Sequence, residues 1–147
     1  EPPISIDKPL GGKTTIRAQH AVADGHYAKA LRLFLSNVVK LPRAFVWTAQ
    51  IAAQSPQYQF LIARQINDLA AIDAIGDARD SYHKILTPTL LIGGDKSPAH
   101  LAHRLKALQD VLPSATTLQL HGVGHDAHVR TPETLAREIE AVFDSPK

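Results

Sequence analysis

Two short apolar runs in the second half of the chain constrain its fold most. Ile85-Leu86-Thr87-Pro88-Thr89-Leu90-Leu91-Ile92 closes on Gly93-Gly94, and Thr116 to Leu120 closes on His121-Gly122. A short apolar run bounded by turn residues is the pattern of a strand buried on both faces, as in a parallel sheet. Pro88 must lie at the first residues of its strand, because proline cannot donate to a ladder. Between the runs, Ser97-Pro98 opens a helix that carries Leu101, Leu105, Leu108 and Leu112 as one stripe, and Pro113-Ser114 ends it. After the second run, Thr131-Pro132-Glu133 opens a last helix, with Thr131 as N-cap and Leu135, Ile139 and Phe143 on its inner face. Residues 85–147 thus read strand, helix, strand, helix, and such a crossover is right-handed.

Residues 1–84 follow a helical period instead. A proline- and glycine-rich opening leads to a helix from Thr14 to Asp24, stopped by Gly25. A second helix is expected over His26 to Lys40, with Ala30, Leu31, Phe34, Leu35 and Val38 on one face. Pro42 opens a third over Arg43 to Gln54. Ser55-Pro56 opens a fourth over Gln57 to Ile75, with a break near Asn67. Phe45, Trp47, Tyr58 and Phe60 fall in this helical part, and Asp73, Asp77 and Asp80 read as a solvated acidic patch. The chain therefore divides into a mostly helical part, 1–84, and a β-α-β-α part, 85–147. Two parallel strands do not make a stable sheet alone, since both faces and both edges need cover. The sheet is expected to be unfinished.

Composition narrows the function classes. With 147 residues, 44% hydrophobic and 20% charged, the chain can bury a real core. No apolar run approaches the roughly 18 residues of a membrane span, so no membrane partner is expected. A net charge of +2, 5% aromatic residues and the lack of a Lys/Arg block give no support to nucleic-acid binding. The absence of cysteine excludes disulfides, thiolate metal sites and a thiol nucleophile. It fits a reducing compartment, and with no signal-peptide pattern a cytoplasmic location is expected. A chain that opens on Glu1 and has no methionine is expected to be a processed, trimmed or truncated piece.

The order Pro88-Thr89-Leu90-Leu91-Ile92-Gly93-Gly94-Asp95, a helix, Thr116–Leu120, Gly122-Val123-Gly124-His125 and Thr131-Pro132-Glu133 resembles the C-terminal third of α/β-hydrolase fold enzymes. In that family the penultimate strand ends in a glycine and an acid. The last strand ends in a Gly-x-Gly-His turn, and a Pro-Glu pair opens the final helix. The helical residues 14–82 resemble the cap that many members insert before these strands, and Glu1-Pro2-Pro3 resembles the segment leaving the sixth strand. The resemblance implies an α/β class with a partial α/β-hydrolase fold: a helical cap followed by a β-α-β-α unit with two parallel strands.

The resemblance also implies roles. His125 matches the triad histidine, which takes a proton from a nucleophile and later activates water. Asp95 is the nearby carboxylate at the acid position. Many members carry Gly-x-x-Asp-Pro there, and Gly94-Asp95-Lys96-Ser97-Pro98 puts Ser97 where that aspartate would fall. The acid is therefore either Asp95 or a residue after an earlier strand, outside this chain. No serine lies at the centre of a Gly-x-Ser-x-Gly elbow, so the nucleophile and its share of the oxyanion hole are not found. The expected function is the C-terminal portion of an esterase-like hydrolase that acts on a small-molecule substrate and is inactive alone. It would pair with an N-terminal half, or with itself, through the open sheet edge. The alternative is a non-catalytic helical binding or assembly module that pairs through the same edge.

No cofactor is implied. His121, His125 and His128 invite a metal reading, but Gly122 and Gly124 argue against the helix that would align two of them, and no carboxylate motif completes a site. No metal is expected. His128 reads as a packing residue, and His100 with His103 as a surface pair.

Overall fold

The structure is a computed structural model that describes residues 3–144, with side chains described to Val142. Phe143, expected on the inner face of the last helix, lies outside the described side chains, as do Glu1 and Pro2 of the opening segment. The chain forms two compact units, one of Ile4–Asp77 and one holding residues 78–144. The division falls after Asp77, ahead of the change of pattern at residue 85.

The first unit is helical. It contains α1 (Lys13–Ala23), α2 (Tyr27–Phe34) with a π-helical turn at Leu35–Val39, α3 (Arg43–Ala52) and α4 (Pro56–Ile75). At the end of α1 the His26 N–H reaches Ala21 O (2.7 Å) and the Gly25 N–H reaches Val22 O (3.0 Å). These are the paired bonds of a Schellman stop. The second helix, expected to run to Lys40, widens at Leu35–Val39 and ends with Lys40 in the left-handed region, φ 63°. The break expected near Asn67 does not occur: α4 runs unbroken for 20 residues. Its face Ile62, Ile66 and Leu69 keeps helical spacing through that point and is buried.

The core of this unit is Ala18 and Ala21 from α1, Ala30 and Leu33 from α2, Ala53, and Ile62 and Ile66 from α4. Small alanines on α1 and α2 let the helices approach closely. Leu33 is buried although it lay outside the expected stripe of α2.

Of the expected acidic patch, Asp77 and Asp80 are exposed, while Asp73 is half-buried and bonded to the start of α1. Asp73 accepts the Gly11 N–H (3.0 Å) through Oδ1 and the Gly12 N–H (2.8 Å) through Oδ2, with the Thr15 hydroxyl also on Oδ2. These groups surround the N-terminus of α1, whose N-cap Gly12 has no side chain to do this work. Asp77 accepts the Asp7 N–H at 3.0 Å.

The second unit contains α5 (Arg79–Tyr82), β1 (Thr89–Gly94), α6 (Ala99–Val111), β2 (Ala115–Leu120), α7 (Ala127–Arg130) and α8 (Pro132–Asp144). The short α5 and α7 escaped the sequence reading, since four residues show no period. β1 and β2 pair in parallel, from Thr89↔Ala115 to Gly94↔Leu120. β1 starts at Thr89, whose N–H bonds Ser114 O at 3.1 Å, rather than at Ile85. Pro88 has no N–H to extend the ladder, and Ile85 and Leu86 are exposed before it. Leu91, Leu108, Leu112, Leu120 and Val123 are the buried apolar residues here.

Thr131 does not cap α8 with its side chain. Its hydroxyl donates to Ala127 O at 3.2 Å, closing α7, while its own carbonyl accepts the Leu135 N–H at 3.0 Å. No helix of the described residues is long and apolar enough to cross a membrane.

Candidate functional site

The site is built where both strands end. β1 ends at Gly94 and β2 at Leu120, and these two residues are register partners. The next pair in the same register is therefore Asp95 and His121. In a parallel pair, residues in register project to the same side of the sheet. The Asp95 side chain accordingly meets His121, with Oδ2 at 3.2 Å from Nδ1. Its other oxygen, Oδ1, accepts the Gly122 N–H at 2.8 Å. His125 lies further along, past the glycine turn, and is exposed.

Backbone bonds zip the two strand exits together. Asp95 N–H donates to Leu120 O (3.0 Å), Lys96 N–H to Val123 O (2.9 Å), and Ser97 N–H back to Gly94 O (3.1 Å). Gly94 packs so close to the opposite turn that a Cβ there would lie 2.3 Å from Val123 O, a distance no side chain tolerates. Gly122 has φ +77°, which glycine adopts without strain. Beyond it, Gly124 O accepts the Ala127 N–H at 3.1 Å and starts α7, so His125 and Asp126 between them lie within a hydrogen-bonded turn.

Electrostatics favour an ionised Asp95. Partial loss of hydration pushes its carboxyl upward. The Gly122 N–H, the His121 ring and the Lys96 charge pull the other way and prevail, so it lies below the ordinary carboxylate range. Asp126 pairs instead with Arg130, with Oδ2 3.1 Å from Nε.

Of the two site residues expected from sequence, Asp95 is thus at the end of β1 with both oxygens engaged by His121 and Gly122, and His125 is on the following turn. Sequence reasoning weighed His121 only as a metal ligand. The signal that would have found its pairing is the strand register, which fixes Asp95 opposite the residue after Leu120. Among the described residues, no group of three or more His, Asp or Glu is placed to hold a metal ion. His128 is exposed on α7, and so is His103 on α6. A cavity of about 350 Å³ lies between α6 and β2, lined by Leu105, Lys106, Gln109, Thr117 and Gln119 among others, on a stretch that includes neither His125 nor Asp95.

No protein-family model matches the chain, and no curated protein does. Solved structures do. An α/β-hydrolase from Sphaerobacter thermophilus superposes with a TM-score of 0.70 at 23% identity, over 97% of this chain and 55% of that one. The fold is that of the α/β-hydrolases. A second, MGS-M2, an α/β-hydrolase from a Medee basin deep-sea metagenome library, superposes with a TM-score of 0.57 at 17% identity, over 94% of this chain and 50% of that one. The chain thus spans about half the length of the solved α/β-hydrolases it matches, consistent with a C-terminal portion of the fold. Its two parallel strands and the helices that follow each match the fold class read from the sequence.

Proposed function

We propose that this chain carries the histidine end of a hydrolase site, with His125 as the proton-transfer base of an esterase-like triad. The observation that supports this most is the placement of His125: it follows a glycine turn at the exit of β2, bonded to the exit of β1, in an α/β-hydrolase fold. Residues 1–84 are read as the cap and residues 85–147 as the last part of the catalytic core.

The chemistry follows from that assignment. A hydroxyl nucleophile attacks the carbonyl carbon of a small ester or related substrate and passes its proton to the His125 ring. The protonated ring returns that proton to the leaving alkoxide, which departs as an alcohol. The ring then takes a proton from water, whose oxygen attacks the acyl intermediate; as the acid is released, the ring gives that proton to the nucleophile's oxygen, which restores the hydroxyl and the neutral base. The sequence has no Gly-x-Ser-x-Gly elbow. This reading therefore takes the nucleophile, and the oxyanion donor beside it, from polypeptide outside these residues, docked along the edge of the two-stranded sheet. No cofactor takes part in this chemistry.

The test is hydrolysis of short p-nitrophenyl esters by the complete protein. His125→Gln should lower kcat by about 10³-fold or more while the protein stays folded. Residues 1–147 alone should not turn over. Hydrolysis by residues 1–147 alone that His125→Gln abolishes would place a nucleophile inside them and overturn the reading, and so would full activity of His125→Gln in the complete protein.

A further inference from the structure

We propose that Asp95 is a positioning residue: it clamps the turn that presents His125, and does not serve as the acid partner of His125. The inference rests on the reading of His125 as the base. It is carried by the register, which pairs Gly94 with Leu120 and so sets Asp95 opposite His121, four residues before His125.

Both oxygens of Asp95 are directed at the turn. Oδ1 holds the Gly122 N–H at 2.8 Å, at the one residue of the turn with positive φ. Oδ2 faces His121 Nδ1 at 3.2 Å. The backbone on either side continues the same contact. Gly94 lies against Val123 O too closely for any Cβ, and the Lys96 N–H holds that same oxygen at 2.9 Å. Gly124 then packs against Lys96 O, where an added Cβ would come to 3.4 Å. Residues 94–96 therefore grip residues 121–124 from end to end, and His125 is the first residue beyond the grip. A triad acid holds the base directly; the bonds of this carboxylate go instead to the ring and backbone that come before His125.

The two roles respond differently to one substitution. Asn in place of Asp95 keeps an oxygen for the Gly122 N–H but carries no charge. A clamp survives that change, whereas an acid that stabilises a charged His125 does not. The experiment is NMR on the complete protein, following the Gly122 amide and the His125 ring. Asp95→Ala should speed Gly122 amide exchange about tenfold and move the His125 ring signals, as expected for loss of a charge-assisted bond to the amide. Asp95→Asn should keep Gly122 exchange within about twofold of the native rate and leave the His125 titration midpoint in place. A His125 midpoint lowered by about half a unit or more in Asp95→Asn would assign Asp95 the acid role and overturn the proposal. So would native Gly122 exchange in Asp95→Ala. If Asp95→Ala fails to fold, Asp95→Asn still decides between clamp and acid. These readouts do not depend on turnover, so an inactive or active His125→Gln bears on the base alone.

Discussion

The helical unit and the strand-bearing unit bury their apolar residues to different depths. In the helical unit Ile66 and Leu69 are 1% exposed, and Ala18 and Ala30 are fully enclosed. In the strand-bearing unit the most enclosed apolar side chain among the described residues is Leu120, at 6%. Thr116, Thr117 and Gln119 of β2 are exposed, on a parallel strand of a kind usually covered on both faces. The helical unit closes a core from its own residues because four helices can wrap one another. A two-stranded sheet with α6 and α8 has less to wrap with. What holds the candidate site in shape is therefore local: hydrogen bonds and glycine packing between the strand exits, more than burial.

That contrast can be broken by substitution. The largest effect is expected at Ile66→Ala, which opens a cavity in the closed helical core and should cost about 3 kcal/mol in chemical denaturation. Leu120→Ala removes similar volume from a site closer to solvent and should cost less. Equal losses at the two positions would mean that the strand-bearing unit is as tightly closed as the helical one.

Next in size is Gly94→Ala. The substitution removes no contact and adds one methyl group, yet that group would lie 2.3 Å from Val123 O, so one strand exit must move. A cost of about 2 kcal/mol is expected from such overpacking, together with shifted NMR signals over residues 121–125. A neutral Gly94→Ala would show that the two exits are not held together by close packing. In the helical unit, the corresponding polar tie is Asp73. Asp73→Ala leaves the Gly11 and Gly12 N–H groups at the start of α1 without their carboxylate and should cost about 1.5 kcal/mol. Asp73→Asn should recover part of that loss.

The two regions also differed in how far the sequence exposed them. Helix period and proline starts located α1, α3, α4, α6 and α8 within a few residues. Apolar runs located both strands, because those signals are local. The widened turn at Leu35–Val39 was invisible, since its apolar residues Leu35 and Val38 fit an ordinary helix equally well. The role of Asp73 was invisible for another reason: its partners Gly11 and Gly12 are about sixty residues away in sequence. At the candidate site, the types and order of residues pointed to Asp95 and His125, but which histidine Asp95 meets depends on register, a property of two strands together. A shift of the pairing by one residue would turn each side chain to the other face. No pattern within either strand fixes that choice.

The smallest expected effect is a pH dependence at the strand exits. The folded Asp95 carboxyl lies below its ordinary value, held down by the Gly122 N–H, the His121 ring and Lys96 against the upward push of lost hydration. In the unfolded chain it returns to about 3.9. The unfolded state therefore binds this proton first as pH falls, and the stabilisation from ionised Asp95 is complete above the unfolded value and lost as pH drops through the folded one. The Gly122 amide signal should follow that titration with a midpoint below about 3.9, and Asp95→Asn should abolish it. Only the strand-exit turn should respond in this way, since the amide shares its bond with that one carboxylate. A Gly122 midpoint at or above the ordinary carboxylate value would mean that the turn does not hold Asp95 ionised. The strand exits would then depend on Gly94 packing and the backbone bonds of Asp95 and Lys96 alone.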